Sequence, residues 1–183
     1  MIEIKFRGRG GQGAVVASEI LGRALFMEGK YPQCFALFGG ERRGAPVSSF
    51  LRVDDQPILL KCQIRNPDHL ILFDLSLTNE LEICKELKSN GMILINTERK
   101  IDSFSELRRF RMGLVDASSI ARRIGLGEMF NMAMLGAYVR FFPLVKMETL
   151  IEVVKEGVPS KGEENIRAVK VAYEKVMIYE AKG

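Results

Sequence analysis

The first thirteen residues restrict the fold more than any other part of the chain. Ile2, Ile4 and Phe6 alternate with Glu3, Lys5 and Arg7, a period of two that predicts a strand with one buried face. The cluster Gly8-Arg9-Gly10-Gly11-Gln12-Gly13 follows at once. Ala14, Ala17, Leu21, Ala24 and Leu25 then recur at helical spacing to about Met27, and Gly29 supplies a stop. Strand, tight glycine turn and helix make a Rossmann-like start, which commits the remaining chain to packing helices on a sheet.

That alternation continues. Gln33 to Phe38 and Val47 to Val53 read as strands, and Asp54-Asp55-Gln56-Pro57 as a turn leading into Ile58-Leu59-Leu60, an antiparallel hairpin. His69 to Asp74 and Met92 to Asn96 are continuous apolar runs, the pattern of strands buried on both faces. Ser76 is placed to cap a helix through Leu87, and Ser103-Phe104-Ser105-Glu106 has a capping-box pattern ahead of a short helix. Phe110 to Val115 is strand-like. Helices are expected over 117–124, 131–141 and 147–155, with Pro143 ending the second. Ser160 to Glu163 forms a capping box before a last helix carrying the stripe Ile166, Val169, Tyr173 and Val176. The expected architecture is a three-layer α/β/α fold on a mainly parallel, mixed sheet. With 183 residues and no linker or repeat, the span 1–183 reads as one domain.

Composition narrows the chemistry. An apolar fraction of 47% excludes intrinsic disorder, and no apolar run approaches the ~18 residues of a membrane span. The net charge of +4 is spread along the chain and not gathered into the stripe a nucleic-acid binder shows, so neither nucleic acid nor membrane is an expected partner. Cys34, Cys62 and Cys84 lie too far apart to ligate one metal from a single turn, and they fit buried thiols in a reducing compartment. His69, the only histidine, adjoins a hydrophobic run and reads as structural.

The glycine cluster matches G-x-G-x-x-G in strand-to-helix context, where glycines admit close backbone approach and free helix N–H groups attract an anion. A nicotinamide dinucleotide also needs an acid at the end of the second strand. Gln33 to Phe38 supplies none. Gly8 to Gly13 also fits the opening of a phosphate loop, but Ala14-Val15 replaces the lysine and hydroxyl that ATP hydrolysis requires. An anion, another subunit, or close strand–helix packing alone remain readings of the turn. Arg42 and Arg43 stand between glycines in Gly39-Gly40-Glu41-Arg42-Arg43-Gly44-Ala45-Pro46, forked donors suited to phosphate or carboxylate or to a salt-bridged interface. Asp54-Asp55 reads as a solvated turn.

Three segments, Arg7 to Val15, Phe38 to Val47 and Arg52 to Ile58, closely resemble the gamma subunit of 2-oxoacid:ferredoxin oxidoreductases, nearest the pyruvate and 2-ketoisovalerate branches. Asn66-Pro67-Asp68, Asn96-Thr97, Asn131 to Ala137 and Asn165-Ile166 continue the likeness, which spans nearly the whole chain. Ala14 to Ser18 departs from it where relatives often carry a threonine. The resemblance implies a cytoplasmic multi-chain enzyme that decarboxylates a 2-oxoacid, forms an acyl-coenzyme A and reduces ferredoxin. It places thiamine diphosphate, Mg and [4Fe-4S] clusters in the alpha, beta and delta partners. This chain is then a non-catalytic subunit that packs on the thiamine-binding parts. Its candidate contacts to coenzyme A at a shared site, or to a neighbour, are Gly8, Gly10, Gly11, Gln12, Gly13, Arg42 and Arg43. The residues alone also admit a free-standing nucleotide-binding protein or an interaction module.

Overall fold

A computed structural model of the chain describes residues 1–38 and 44–182. The opening alternation becomes β1 (Ile2–Arg9), with Ile4 and Phe6 fully buried on one face and Lys5 and Arg7 on the other. Helix α1 (Ala14–Met27) follows, and Gly29 at φ +79° lets the chain turn back. Strands β2 (Tyr31–Phe38) and β3 (Pro46–Asp54) pair antiparallel, Phe38 opposite Val47, and β3 then pairs antiparallel with β1.

The expected strand at Ile58–Leu60 does not form. Strand β3 already has β1 and β2 on its two edges, so no edge remains for a further strand. Residues 55–66 instead run irregularly across the open face of β2 and β3. Gln33 Nε2 donates to the Leu60 carbonyl at 2.8 Å, the Arg52 guanidinium donates to the Cys62 carbonyl at 2.7 Å, and Ile64 is buried.

Beyond β1 the sheet is parallel. Strands β4 (His69–Leu72), β5 (Met92–Asn96) and β6 (Arg111–Val115) follow in register, and a three-residue β7 (Met177–Tyr179) closes the far edge antiparallel to β6. The order β2-β3-β1-β4-β5-β6-β7 is the expected mixed sheet with a parallel centre. Strand β7 was not expected, because three residues are too few to display a period.

Two layers cover the sheet unequally. One face packs α1, α3 (Ala117–Ile124), α4 (Asn131–Phe141), α5 (Met147–Gly157) and α6 (Gly162–Lys175) over Ile4, Phe6, Leu51, Ile71 and Leu94. The other holds α2 (Glu80–Glu86) and short 3-10 turns over Leu70, Leu72, Ile93 and Leu114, with the 55–66 segment beside them over β2 and β3. Helices α4 and α6 cross so closely that a Cβ on Gly136 would lie 2.0 Å from the Val169 carbonyl oxygen.

Helix ends differ from the expected caps. Asn79, not Ser76, caps α2 by accepting from the Glu82 N–H, while Asp74 caps the 3-10 turn at Leu75–Leu77. Glu80 accepts from the backbone N–H groups of Glu106 and Leu107, so no Ser103 box forms. At α6 no side chain caps the first turn. Lys161 sits at φ +53°, and Asn165 Nδ2 donates back to the carbonyls of Ser160 and Lys161.

His69 faces the helical layer, buried at 6% exposure, its Nδ1 2.7 Å from the Tyr138 hydroxyl and its ring edge-on to Phe142. Burial lowers its imidazole pKa to about 4. Among the described residues no helix is long and apolar enough to cross a membrane.

Candidate site at the carboxyl edge of the sheet

The glycine turn lies where β1 ends, and each of its peculiarities has a local cause. Gly8 has no room for a side chain, since a Cβ there would stand 3.0 Å from both Gln12 Oε1 and Phe73 Cβ. Gly11 and Gly13 sit at φ +99° and +77°, which L side chains rarely adopt. A Cβ on Gly13 would also come within 2.5 Å of Asn131 Nδ2, at the start of α4. Gly13 opens α1 with no side-chain cap, leaving the first N–H groups of a 14-residue helix turned outward at its positive end.

One candidate, Gln12, closes the turn on itself together with Arg9, which was not a candidate. Gln12 Oε1 accepts from the Arg9 N–H at 2.7 Å, and the Gln12 N–H returns a bond to the Arg9 carbonyl at 3.0 Å. Arg9 Nε donates to Asp74 Oδ2 at 2.7 Å, and the same guanidinium reaches Ser76 Oγ and the Gly44 carbonyl. Burial pushes the Asp74 carboxyl up, but hydrogen bonds from Ser76 and the Arg9 charge outweigh it and hold Asp74 below the usual carboxylate value. The positive charge of Arg9 is therefore largely matched within the turn. With Gly8 buried against Phe73 and the Gly10 N–H bonded to Ala45, Gly11 and Gly13 are left as the backbone able to approach an anion.

The arginine loop meets this turn at its base. The Gly10 N–H donates to the Ala45 carbonyl at 2.9 Å, and the Gly44 N–H to the Gly10 carbonyl at 3.2 Å. Arg42 and Arg43 themselves lie outside the described residues. The two sequence motifs are thus adjacent through Gly44 and Ala45, 31 or more positions from the turn along the chain.

The neighbouring parallel strands end at the same edge. Asn96 donates to the Phe73 carbonyl at 3.1 Å and to Ser118 Oγ at 2.9 Å, bracing the ends of β4, β5 and the start of α3. Asp116 caps α3 through the Ser119 N–H. A cleft of about 240 Å³ between Thr97, Asp116, Ser119, Arg123 and Lys175, and another of about 290 Å³ beside Ser76, Asn79, Arg99 and Phe104, open here. Ligands of open α/β sheets bind at this carboxyl edge.

Asp74, Asn96 and Asn131 were not among the candidates. Asp74 was legible as the polar end of an apolar run; nothing in the local pattern marks Asn131, which gains its place only when α4 docks beside α1. The topology also removes the nicotinamide reading. Antiparallel β3 stands between β1 and β2, so the acid-bearing parallel strand that would hold a ribose beside β1 has no place in this sheet. Among the described residues no group of three or more His, Cys, Asp or Glu is placed to hold a metal ion.

Comparisons with known proteins extend the geometry. The family model described as pyruvate ferredoxin/flavodoxin oxidoreductase matches residues 3–175. The pyruvate/ketoisovalerate oxidoreductases common subunit gamma of Thermococcus litoralis is 44% identical over 184 residues, covering 98% of this chain and 100% of that one. The crystal structure of pyruvate oxidoreductase subunit PORC from Thermotoga maritima superposes with a TM-score of 0.84 at 31% identity, over 98% of both chains. The 2-oxoglutarate:ferredoxin oxidoreductase of Magnetococcus marinus, solved with 2-oxoglutarate, coenzyme A and succinyl-CoA bound, shares the fold. Its TM-score is 0.75 at 21% identity, over 95% of this chain and 30% of that one.

Proposed function

The chain belongs to the pyruvate ferredoxin/flavodoxin oxidoreductase family, and we propose that residues 1–183 serve as the single-domain gamma subunit of a cytoplasmic 2-oxoacid:ferredoxin oxidoreductase. Activity belongs to the assembled complex and not to this chain alone. The observation that carries the reading is the match to the gamma subunit of Thermococcus litoralis over essentially the whole of both chains. Such a match accounts for the entire domain and not just a phosphate-binding turn.

In this reading the alpha, beta and delta partners hold thiamine diphosphate with Mg and the [4Fe-4S] clusters, and ferredoxin is reached through the complex. The partners decarboxylate pyruvate or 2-ketoisovalerate. This chain contributes the carboxyl edge to a shared coenzyme A site. Support for that contribution is chemical: coenzyme A brings phosphates, and the uncapped start of α1 beside Gly11 and Gly13 presents outward N–H groups at a helix's positive end. Arg42 and Arg43, on the loop whose base is bonded to Gly10, supply the cationic charge that Arg9 gives instead to Asp74. The rival reading, a free-standing nucleotide-binding protein, is disfavoured by the sheet order.

The test is an anaerobic affinity purification of the tagged chain from its native extract, followed by coenzyme A-dependent viologen reduction with several 2-oxoacids. Co-eluting thiamine- and cluster-binding chains with activity are expected, and the purified chain alone should reduce no dye. Arg42→Ala with Arg43→Ala should raise the KM for coenzyme A without lowering the melting temperature. A colourless monomer that recovers no partner would overturn the assignment.

A further inference from the structure

Most of the large apolar side chains left exposed among the described residues gather on one side of the molecule. Phe26 and Met27 end α1, Tyr31 and Leu37 lie on β2, and Leu59 and Leu60 lie on the loop that crosses it. Phe26 is 68% exposed and Leu59 88%. Scattered apolar residues on a surface mean little, but apolar groups gathered along both flanks of one strand mark an interaction site.

The patch is built around an open sheet edge. Strand β2 is the end of the sheet order, eight residues long, and one of its edges has no partner strand among the described residues. Sheet edges are usually blunted by charge, brevity or a covering segment. Tyr31–Phe38 contains no charged residue at all, and its one proline, Pro32, lies near the start. Apolar surface flanks the edge on both sides. Toward α1 a shallow cleft of about 680 Å³ runs between Gly22, Phe26, Met27, Pro32 and Cys34. On the opposite face, where Phe35 stacks on Phe50, the Gln33–Leu60 bond brings Leu60 beside the strand.

Electrostatics define what fits. Two of the cations bordering the patch are matched, Lys30 by Asp55 and Arg23 by Glu156, while Lys61 beside Leu60 and Glu19 on the cleft wall form no ion pair among the described residues. One lone cation and one lone carboxylate do not make the basic patch that a nucleic acid or acidic peptide needs, whereas an uncharged apolar segment matches the uncharged strand itself.

Resting on the gamma-subunit reading, we infer that β2 is the assembly edge: a partner subunit adds an uncharged, apolar extended segment along it as an eighth strand. Backbone hydrogen bonds to the free edge give affinity, and alternate side chains enter the α1 cleft or meet Leu59 and Leu60. Strand β2 ends at Phe38, opposite Val47, and Gly44 and Ala45, just ahead of β3, are bonded to Gly10 of the glycine turn. A partner laid on β2 therefore arrives beside the proposed coenzyme A contacts, so one docking event both assembles the complex and completes the shared site.

The experiment co-expresses the tagged chain with the other subunits of the oxidoreductase and measures the fraction retained in the complex by size-exclusion chromatography. Phe26→Glu, Leu37→Glu and Leu59→Glu should each reduce retention at least tenfold with melting temperatures unchanged. Leu81→Glu and Met129→Glu, exposed apolar sites away from the patch, should leave it unaltered. Hydrogen exchange should show the amides of 33–37 slowed in the complex relative to the free chain. Full retention of the edge variants, equal loss in the control variants, or unslowed β2 amides would each overturn the inference. So would a homodimer of the free chain that Leu37→Glu dissolves, since the occupant would then be a second copy. Failure of the wild-type chain to join any complex would instead overturn the gamma-subunit reading beneath it, and the inference with it.

Discussion

Strands β1 and β3 present two faces made from the same residues in alternation, and the faces are stabilised by different physics. Ile4, Phe6, Leu51 and Val53 point into the helical layer and are held by burial and close packing. Lys5, Arg7 and Arg52 point the other way, under α2 and the 55–66 loop, and are held by specific partners. Lys5 and Arg7 both donate to Glu86, the Arg7 bond at 2.7 Å. Arg52, 1% exposed, is fixed by Glu3, Gln33 and the Cys62 carbonyl. Burial lowers the Lys5 pKa against the opposing pull of Glu86, a sign that desolvation is not fully offset. An apolar face fails by gaining or losing volume, whereas a charged one fails when a single partner is withdrawn.

The sharpest way to break the helical side is to add one methyl group. Gly136→Ala places a Cβ 2.0 Å from a backbone oxygen of α6, and neither helix can yield without moving the layer. We expect a loss of about 3 kcal/mol in denaturant unfolding, the upper end for overpacking. On the charged side the matching change is Glu86→Leu, which leaves Lys5 and Arg7 facing each other unpaired. Because the three side chains keep 9%, 19% and 15% exposure, water relieves part of the penalty, and about 2 kcal/mol is expected. Adding Lys5→Met to Glu86→Leu should restore most of that loss. If the double variant is as unstable as the single one, the face is held by packing and the contrast between the two faces is false.

The same contrast explains what could be read in advance. Periodicity reports burial, so the apolar half of every long element was legible: β1, β5, α3 and α4 fall where alternation, continuous runs and helical spacing put them. Partner choice is not periodic. Nothing near Lys5 in sequence points to Glu86, 81 positions away, and nothing near Gly13 points to Asn131. The caps failed for a related reason, since Ser76 and Ser160 carry the right side chains but Asp74, Asn79 and Asn165 were better placed by the fold. Ile58–Leu60 has strand chemistry, yet a strand also needs a free edge, and β3 had none. At the site the glycines were legible because backbone geometry demands them locally. The Asp74–Arg9 clamp and the Gly44–Gly10 strap were not, because both depend on which strands end side by side.

The helical face also buries a base, His69, and it sets the smallest of the expected effects. His69 is neutral in the folded chain, with a pKa lowered from 6.5 to about 4 by burial against Tyr138 and Phe142. The unfolded chain binds the imidazole proton more readily, so stability rises with pH across that window and is lost as pH falls from 6.5 toward 4. By about pH 5.5 the loss amounts to about 1.4 kcal/mol, one unit of differential protonation. His69→Gln keeps a polar partner for Tyr138 and should flatten this part of the curve. Asp74, on the glycine turn, acts in the same sense but in a lower window: its carboxyl is held below 3.8, so its contribution is complete above 3.8 and is lost only as pH falls below it. Thermal melts of wild type, His69→Gln and Asp74→Asn between pH 8 and 4 should therefore separate. The wild-type and Asp74→Asn curves should descend in parallel, while His69→Gln should be less stable than wild type at neutral pH and close the gap toward pH 4. A descent in His69→Gln as steep as in wild type would mean that the pH sensitivity lies in the carboxylates of the charged face and not in the one buried base of the apolar one.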